Sequence, residues 1–235
     1  MESQRHPEAA AQPRARRVSH WWPLVSGSLA LGLAVGLGFL IVVRDQGMPL
    51  PIDTRWFREV SANRAPGWDT LALTMDALGG GLIATVLLPA GIAIALLLGR
   101  RPWAAGFYLV ASTVTGGVVQ VLKHFFGRAR PENILTYLDF GSFPSGHVAN
   151  AAATTAVLAI LFPRVWVWAA GAVYTVVMMM SRTYLGAHWL TDTVGALLLG
   201  IGVAAVLWAP VAAKLDGERT LVGQRRSRRK AVGAV

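Results

Sequence analysis

Trp103 to Pro131 reads WAAGFYLVASTVTGGVVQVLKHFFGRARP, and this one stretch decides the architecture. Its first twenty residues, 103–122, contain no Asp, Glu, Lys, Arg or His. About 20 predominantly apolar residues are what a helix needs to cross the hydrocarbon of a bilayer, where it must satisfy its own backbone hydrogen bonds. The run ends abruptly in Lys123, His124, Arg128 and Arg130, so ionisable groups begin where the apolar segment stops.

The pattern recurs on both sides. Further apolar blocks occupy 21–43, 71–98, 148–162, 165–180 and 189–213. The fourth and fifth blocks in chain order are short and borrow flanking residues or lie inside the bundle. The expected fold class is therefore all-α, a polytopic membrane bundle of six transmembrane helices over 20–213, whose Ala, Gly and Thr faces form the core. Residues 1–19 and 214–235 are polar and basic, and are expected to be disordered cytoplasmic tails. The whole chain of 235 residues is 54% hydrophobic and only 14% charged, against about 25% charged in soluble domains. The net charge of +10 gathers largely in the tails, which argues against a nucleic-acid partner and for membrane lipids. Cysteine is absent, which excludes disulfides and thiolate chemistry.

Orientation follows from the basic residues of the short connections. With the N-terminus inside, 14 of the 22 Lys and Arg residues lie on the inner side, including Arg100, Arg101, Arg164 and seven from Lys214 to Lys230. Both termini are therefore expected in the cytoplasm of a plasma-membrane protein. The first apolar block is long enough to span and is followed by others, so it reads as a retained helix and not a signal peptide. The connections over 44–68 and 132–143 are expected to be irregular outer loops that supply headgroup contacts.

In that topology three ionisable clusters meet on the outer face. Lys123 to Pro131 closes the third block, Pro144-Ser145-Gly146-His147 opens the fourth, and Ser181-Arg182 closes the fifth, with His188 and Asp192 at the start of the sixth. Lys123, Arg130 and Arg182 concentrate positive charge suited to phosphate: Arg offers a planar fork and Lys a compact point charge. Ser145 and Gly146 stand where a helix N-cap belongs, so a hydroxyl and backbone N–H groups point at the same anion. No metal or other cofactor is needed for such a cradle. His188 and Asp192 are four residues apart and on a helix share a face. A carboxylate accepting the Nδ1 proton leaves Nε2 free to attack phosphorus, which makes His188 the nucleophile candidate. His147 lacks a carboxylate at that spacing and suits the acid and base task at the leaving oxygen and the water.

Each residue alone has a plainer role open to it. Lys123 could snorkel, Arg182 could be a topology charge, and either histidine could be a satisfied interfacial group. The joint spacing favours chemistry. His124 and Arg128 fall off the required positions and read as accessory charges. Asp76 is either an intramembrane functional group or, if its helix begins later, a loop residue. Trp21, Tyr184 and Trp189 read as an interfacial aromatic belt, and Gly79 to Gly81 as close packing or a turn.

These clusters resemble, position by position, the three-part signature of the type 2 phosphatidic acid phosphatase superfamily: Lys, six residues, Arg-Pro; Pro-Ser-Gly-His; and Ser-Arg, five residues, His, three residues, Asp. The match covers Lys123, Arg130, Pro131, Pro144 to His147, Ser181, Arg182, His188 and Asp192. The resemblance implies a metal-independent lipid phosphatase working through a phosphohistidine, with Lys123, Arg130 and Arg182 as phosphate ligands. It points to a polyprenyl diphosphate carrier as substrate, with phosphatidic acid or phosphatidylglycerophosphate as the alternative lipid phosphates. A noncatalytic lipid-binding scaffold is the rival from another class. The resemblance is to the bacterial undecaprenyl-diphosphate and phosphatidylglycerophosphate phosphatases of that superfamily.

Overall fold

The computed structural model describes residues 21–136 and 140–232. The 1–19 tail expectation lies outside the described residues. Among the described residues every regular element is helical: α1 (Trp21–Asp45), α2 (Pro51–Ala62), α3 (Pro66–Gly79), a π-helical turn (Ile83–Leu87) leading into α4 (Leu88–Leu98), α5 (Pro102–Phe126), α6 (Gly146–Leu161), α7 (Val165–Tyr184) and α8 (Leu190–Val232). Proline opens α2, α3 and α5, where its missing N–H costs nothing and its fixed φ suits the first helical turn.

By length and composition, four helices among the described residues can cross a membrane: Trp21–Arg44, Pro102–Phe126, Val165–Tyr184 and Leu190–Arg225. The pair Pro66–Gly79 and Ile83–Leu98 makes a fifth if its 48° bend is one broken span. Helix α6 is apolar but has only 16 residues, about 24 Å at 1.5 Å per residue. The expected second block is thus two helices, interrupted where Gly80 and Gly81 leave the helical path. Many large apolar side chains on these helices are exposed, among them Val25, Leu29, Leu98 and Val121, as a multi-pass membrane protein requires of its lipid-facing surface.

α8 is central. It packs against α1, α5 and α6, and its small residues set the spacing. A Cβ on Gly200 would stand 2.4 Å from the Ala149 carbonyl oxygen and 2.8 Å from the Ala153 nitrogen, so only glycine permits this approach of α6. Tyr108, Ala111, Val157 and Ala204 fill one core, and Val119, Val148, Met178 and Leu199 a second beneath the histidines.

Two connections differ from expectation. The 44–68 loop, expected to be irregular, contains α2, whose Asp53 is fully buried while Ile52 is exposed. The segment after Ala213 was expected to be disordered, yet α8 continues to Val232. Leu215 packs into the core and Glu218 accepts the N–H groups of Trp103 and Ala104 at 2.8 and 3.2 Å, so the extension is anchored on the start of α5. Residues 233–235 of that tail fall outside the described residues.

Candidate active site

The site begins with the end of α5. Gly127 adopts the left-handed conformation at φ +53 and its N–H returns to the Lys123 carbonyl at 2.9 Å, closing the helix and turning the chain back. Buried Lys123 donates from Nζ to the carbonyl of Gly141 at 2.9 Å. Arg130 donates to the same carbonyl at 2.7 Å and to the Ala187 carbonyl at 2.6 Å. A second stretch, 140–145, is tied to the first by the Ser142 N–H, which meets the Arg128 carbonyl at 2.9 Å.

That stretch delivers Ser145 to the N-cap of α6 and Gly146 to its first turn. The Ser145 hydroxyl does not cap: its Oγ is buried and without a protein hydrogen-bond partner. A buried hydroxyl with no protein partner is a ready donor to an anion.

His188 stands between these strands of chain. Its Nε2 is 3.4 Å from an Arg130 guanidinium nitrogen. Its Nδ1 is 2.7 Å from the Ser142 carbonyl oxygen, which can only accept, so the proton sits on Nδ1 and the Nε2 lone pair is free. Burial foremost, and then the charges of Arg182, Arg130, Lys123 and His147, hold the imidazole well below its ordinary value, neutral at pH 7. Arg130 is thus beside His188 and shares the Gly141 carbonyl with Lys123.

Asp192 does not perform the expected task directly. Its Oδ2 is 3.7 Å from Nδ1 and instead accepts the Trp189 N–H at 2.8 Å, while Oδ1 pairs with Arg128. The reason is local: α8 starts at Leu190, so His188 precedes the helix and the carboxylate caps it. Arg128, treated above as an accessory charge, is fully buried and bridges Asp192 to Asp53, 2.7 Å away on α2. Asp53 also accepts the N–H and hydroxyl of Thr191 at 2.9 and 2.8 Å. Trp189 is buried, with its indole N–H on the Ala129 carbonyl at 2.9 Å, and so belongs to this network and not to an aromatic belt.

His147, on the first turn of α6, has Nε2 3.1 Å from an Asp76 carboxylate oxygen. That oxygen also pairs with Arg182, and Thr136 donates to the other. Asp76 therefore lies in the site, on α3, and not in a loop. Sequence spacing carried no sign of the Asp53 and Arg128 link, whereas an ionisable residue inside an apolar block did flag Asp76. Gly80 fits closely here: a Cβ would stand 2.6 Å from His147 Nε2. Among the described residues no three His, Asp or Glu side chains form a metal-binding group.

Beside Ser181 a groove of about 450 Å³ runs between α2, α3 and α7, walled by Trp56, Trp68, Leu71, Val177 and Met180. Tyr184 also lines it, its hydroxyl donating to Asp69 at 2.5 Å.

Residues 103–215 match the model of the PAP2 superfamily. An undecaprenyl-diphosphatase of Sulfolobus acidocaldarius is 37% identical over 114 residues, 45% of this chain and 54% of that protein. A lipid A 1-phosphatase of Rhizobium etli is 35% identical over 108 residues, 40% of this chain and 45% of that protein. The chain thus spans about half the length of the curated relatives it matches. The crystal structure of a transmembrane PAP2 type phosphatidylglycerolphosphate phosphatase from Bacillus subtilis superposes with a TM-score of 0.67 over 77% of this chain and 94% of that one, at 22% identity, a likeness of fold.

Proposed function

We propose that this chain, which carries a PAP2 superfamily domain, is a membrane phosphatase that removes a terminal phosphate from a lipid through a phosphohistidine on His188. The observation that carries the reading is buried His188 with Arg130 3.4 Å from Nε2, Lys123 sharing the Gly141 carbonyl with that arginine, and His147 and Arg182 held on one Asp76 oxygen. Preorganised cations aimed at developing charge are the largest source of catalysis for slow phosphate-ester hydrolysis.

In the first step His188 Nε2 forms a bond to phosphorus as the bond to the leaving oxygen breaks, and His147 gives that oxygen a proton. In the second, His147 takes a proton from water, the water oxygen bonds to phosphorus, and the P–N bond breaks to release phosphate. Lys123, Arg130, Arg182, the Ser145 hydroxyl and the Gly146 N–H hold the phosphoryl oxygens. Asp76 orients both His147 and Arg182, and the Ser142 carbonyl sets the His188 tautomer.

Among substrates the reading favours a polyprenyl diphosphate, supported by the relative named undecaprenyl-diphosphatase; the lipid A 1-phosphatase relative keeps other lipid phosphates, including phosphatidic acid and phosphatidylglycerophosphate, as the alternative. The groove beside Ser181 suits the substrate's hydrocarbon. The six apolar blocks support six crossings with the short α6 among them, and the basic residues of the connections support both termini in the cytoplasm and the histidines at the extracytoplasmic face.

The test is phosphate release by the purified chain from polyprenyl diphosphate, phosphatidylglycerophosphate and phosphatidic acid, compared by kcat/KM. His188→Ala abolishes turnover in this reading. Undiminished turnover in that variant overturns the mechanism, and no release from any lipid by the wild type favours the scaffold.

A further inference from the structure

The chain carries a second basic site, at the end of the bundle remote from the histidines. α5 holds Lys123 in the catalytic cluster and Trp103 near its start, twenty residues earlier, so the two are about 30 Å apart, the thickness of the hydrocarbon core. Around Trp103, the turn before α5 and the extension of α8 enclose a pocket of about 550 Å³, lined by Arg100, Trp103, Lys214, Glu218, Leu221 and Arg225.

Its charge is one-sided. Glu218, the acid in the wall, is 8% exposed and already accepts two N–H groups of α5, with Arg101 3.7 Å away. Among the described residues no carboxylate pairs with Arg100, Lys214 or Arg225. The Lys214 ammonium lies 5.5 Å above the Trp103 ring, and that ring and Leu221 are each more than half exposed. A topology signal needs only a count of charges. Here the charges line a concavity whose rim is apolar, built by a helix extension that is itself buried along Leu215, Glu218 and the half-buried Val222.

We propose that this pocket binds the phosphodiester headgroup of an anionic phospholipid in the leaflet opposite the histidine cluster. Arg100 and Arg225 hold the phosphate oxygens, Lys214 adds a point charge, and the acyl chains descend past Trp103 and Leu221. The inference stands on the membrane setting and does not depend on the phosphatase mechanism.

The experiment uses the full chain in a neutral detergent, with native mass spectrometry after addition of phosphatidylglycerol or phosphatidylcholine. Phosphatidylglycerol has no terminal phosphate, and an Arg182→Gln background weakens retention at the histidine cluster. The wild-type pocket retains phosphatidylglycerol in preference to phosphatidylcholine, and Arg100→Gln, Lys214→Gln and Arg225→Gln together weaken that retention about tenfold or more. Equal retention of the two lipids, or of phosphatidylglycerol by both chains, overturns the proposal. So does displacement of the lipid by millimolar inorganic phosphate, which marks a free-anion site. A photoreactive phosphatidylglycerol provides a measurement on the unaltered chain: cross-links fall within 100–103 and 213–225, and cross-links confined elsewhere refute the site.

Discussion

His188 Nδ1 lies 2.7 Å from the carbonyl oxygen of Ser142, so a backbone group fixes the tautomer of the proposed nucleophile. The Asp192 carboxylate, 3.7 Å from the same nitrogen, is left with two other tasks: neutralising charge on the ring and capping the start of α8.

Asp192→Asn is therefore expected to lower kcat by about a hundredfold and not to abolish turnover, because the tautomer survives while the electrostatic support is lost. A phosphohistidine should still be trapped from labelled substrate by an alkaline quench. Loss of turnover as complete as in His188→Ala would mean that the carboxylate, and not the Ser142 carbonyl, orients the ring.

The acid limb of kcat/KM follows from the setting of His188. Its nucleophilic form is neutral, and burial with the neighbouring Arg182, Arg130 and Lys123 charges lowers its value, so activity persists below the ordinary 6.5 and is lost only as pH falls through the depressed value. Lys123→Gln removes one of those charges and moves the limb toward higher pH, besides raising KM. A limb at or above 6.5 in the wild type would contradict the burial and charge of this pocket.

Arg128 joins Asp53 of α2 to Asp192 with all three side chains removed from solvent. Arg128→Met leaves two buried carboxylates without their counterion, and removing one partner of such a group costs about 3–5 kcal/mol. The unfolding midpoint in detergent should fall accordingly, with a smaller loss for Asp53→Asn, which keeps the shape and much of the hydrogen bonding. An unchanged midpoint in Arg128→Met would deny the network a structural role.

The same network marks where the sequence stops being informative. Apolar runs located the membrane-crossing helices, because a stretch such as 103–122 is more uniformly uncharged, over a longer run, than a helix of a soluble core needs to be. The histidine cluster was also legible, since Lys123, Arg130, His147, Arg182 and His188 sit at helix ends at fixed spacings. Asp53 and Arg128 are 75 residues apart with no shared pattern, and only folding brings them together. The break after Gly79 was legible only as an alternative, since the glycines allow a turn while hydropathy continues across them, and the extension of α8 was hidden because Leu215, Glu218 and Val222 are too sparse a stripe among charges to read as a buried face. Asp76 fell between these cases: its position in an apolar block was a signal, but its partners His147, Thr136 and Arg182 come from three other segments.

Gly80 offers a way to test the proposed proton donation by His147 apart from phosphate binding. Its backbone is extended, at φ −129 and ψ −179, so alanine is sterically admissible in the chain itself. The obstacle is the space beside it, where the added methyl would meet His147 Nε2 at 2.6 Å and the Asp76 carbonyl at 3.1 Å. Gly80→Ala thus displaces the imidazole proposed to serve the leaving oxygen while leaving Lys123, Arg130 and Ser145 in place. The expected result is a fall in kcat of about a hundredfold with KM little changed. With p-nitrophenyl phosphate, whose leaving group needs no proton, the loss in the phosphorylation step should be much smaller. Gly91→Ala in α4, where the methyl meets nothing within 4 Å, is the control and should retain full activity with slightly higher stability. Equal losses for the lipid and for p-nitrophenyl phosphate would place the damage in phosphate binding or packing and remove His147 from the acid's role.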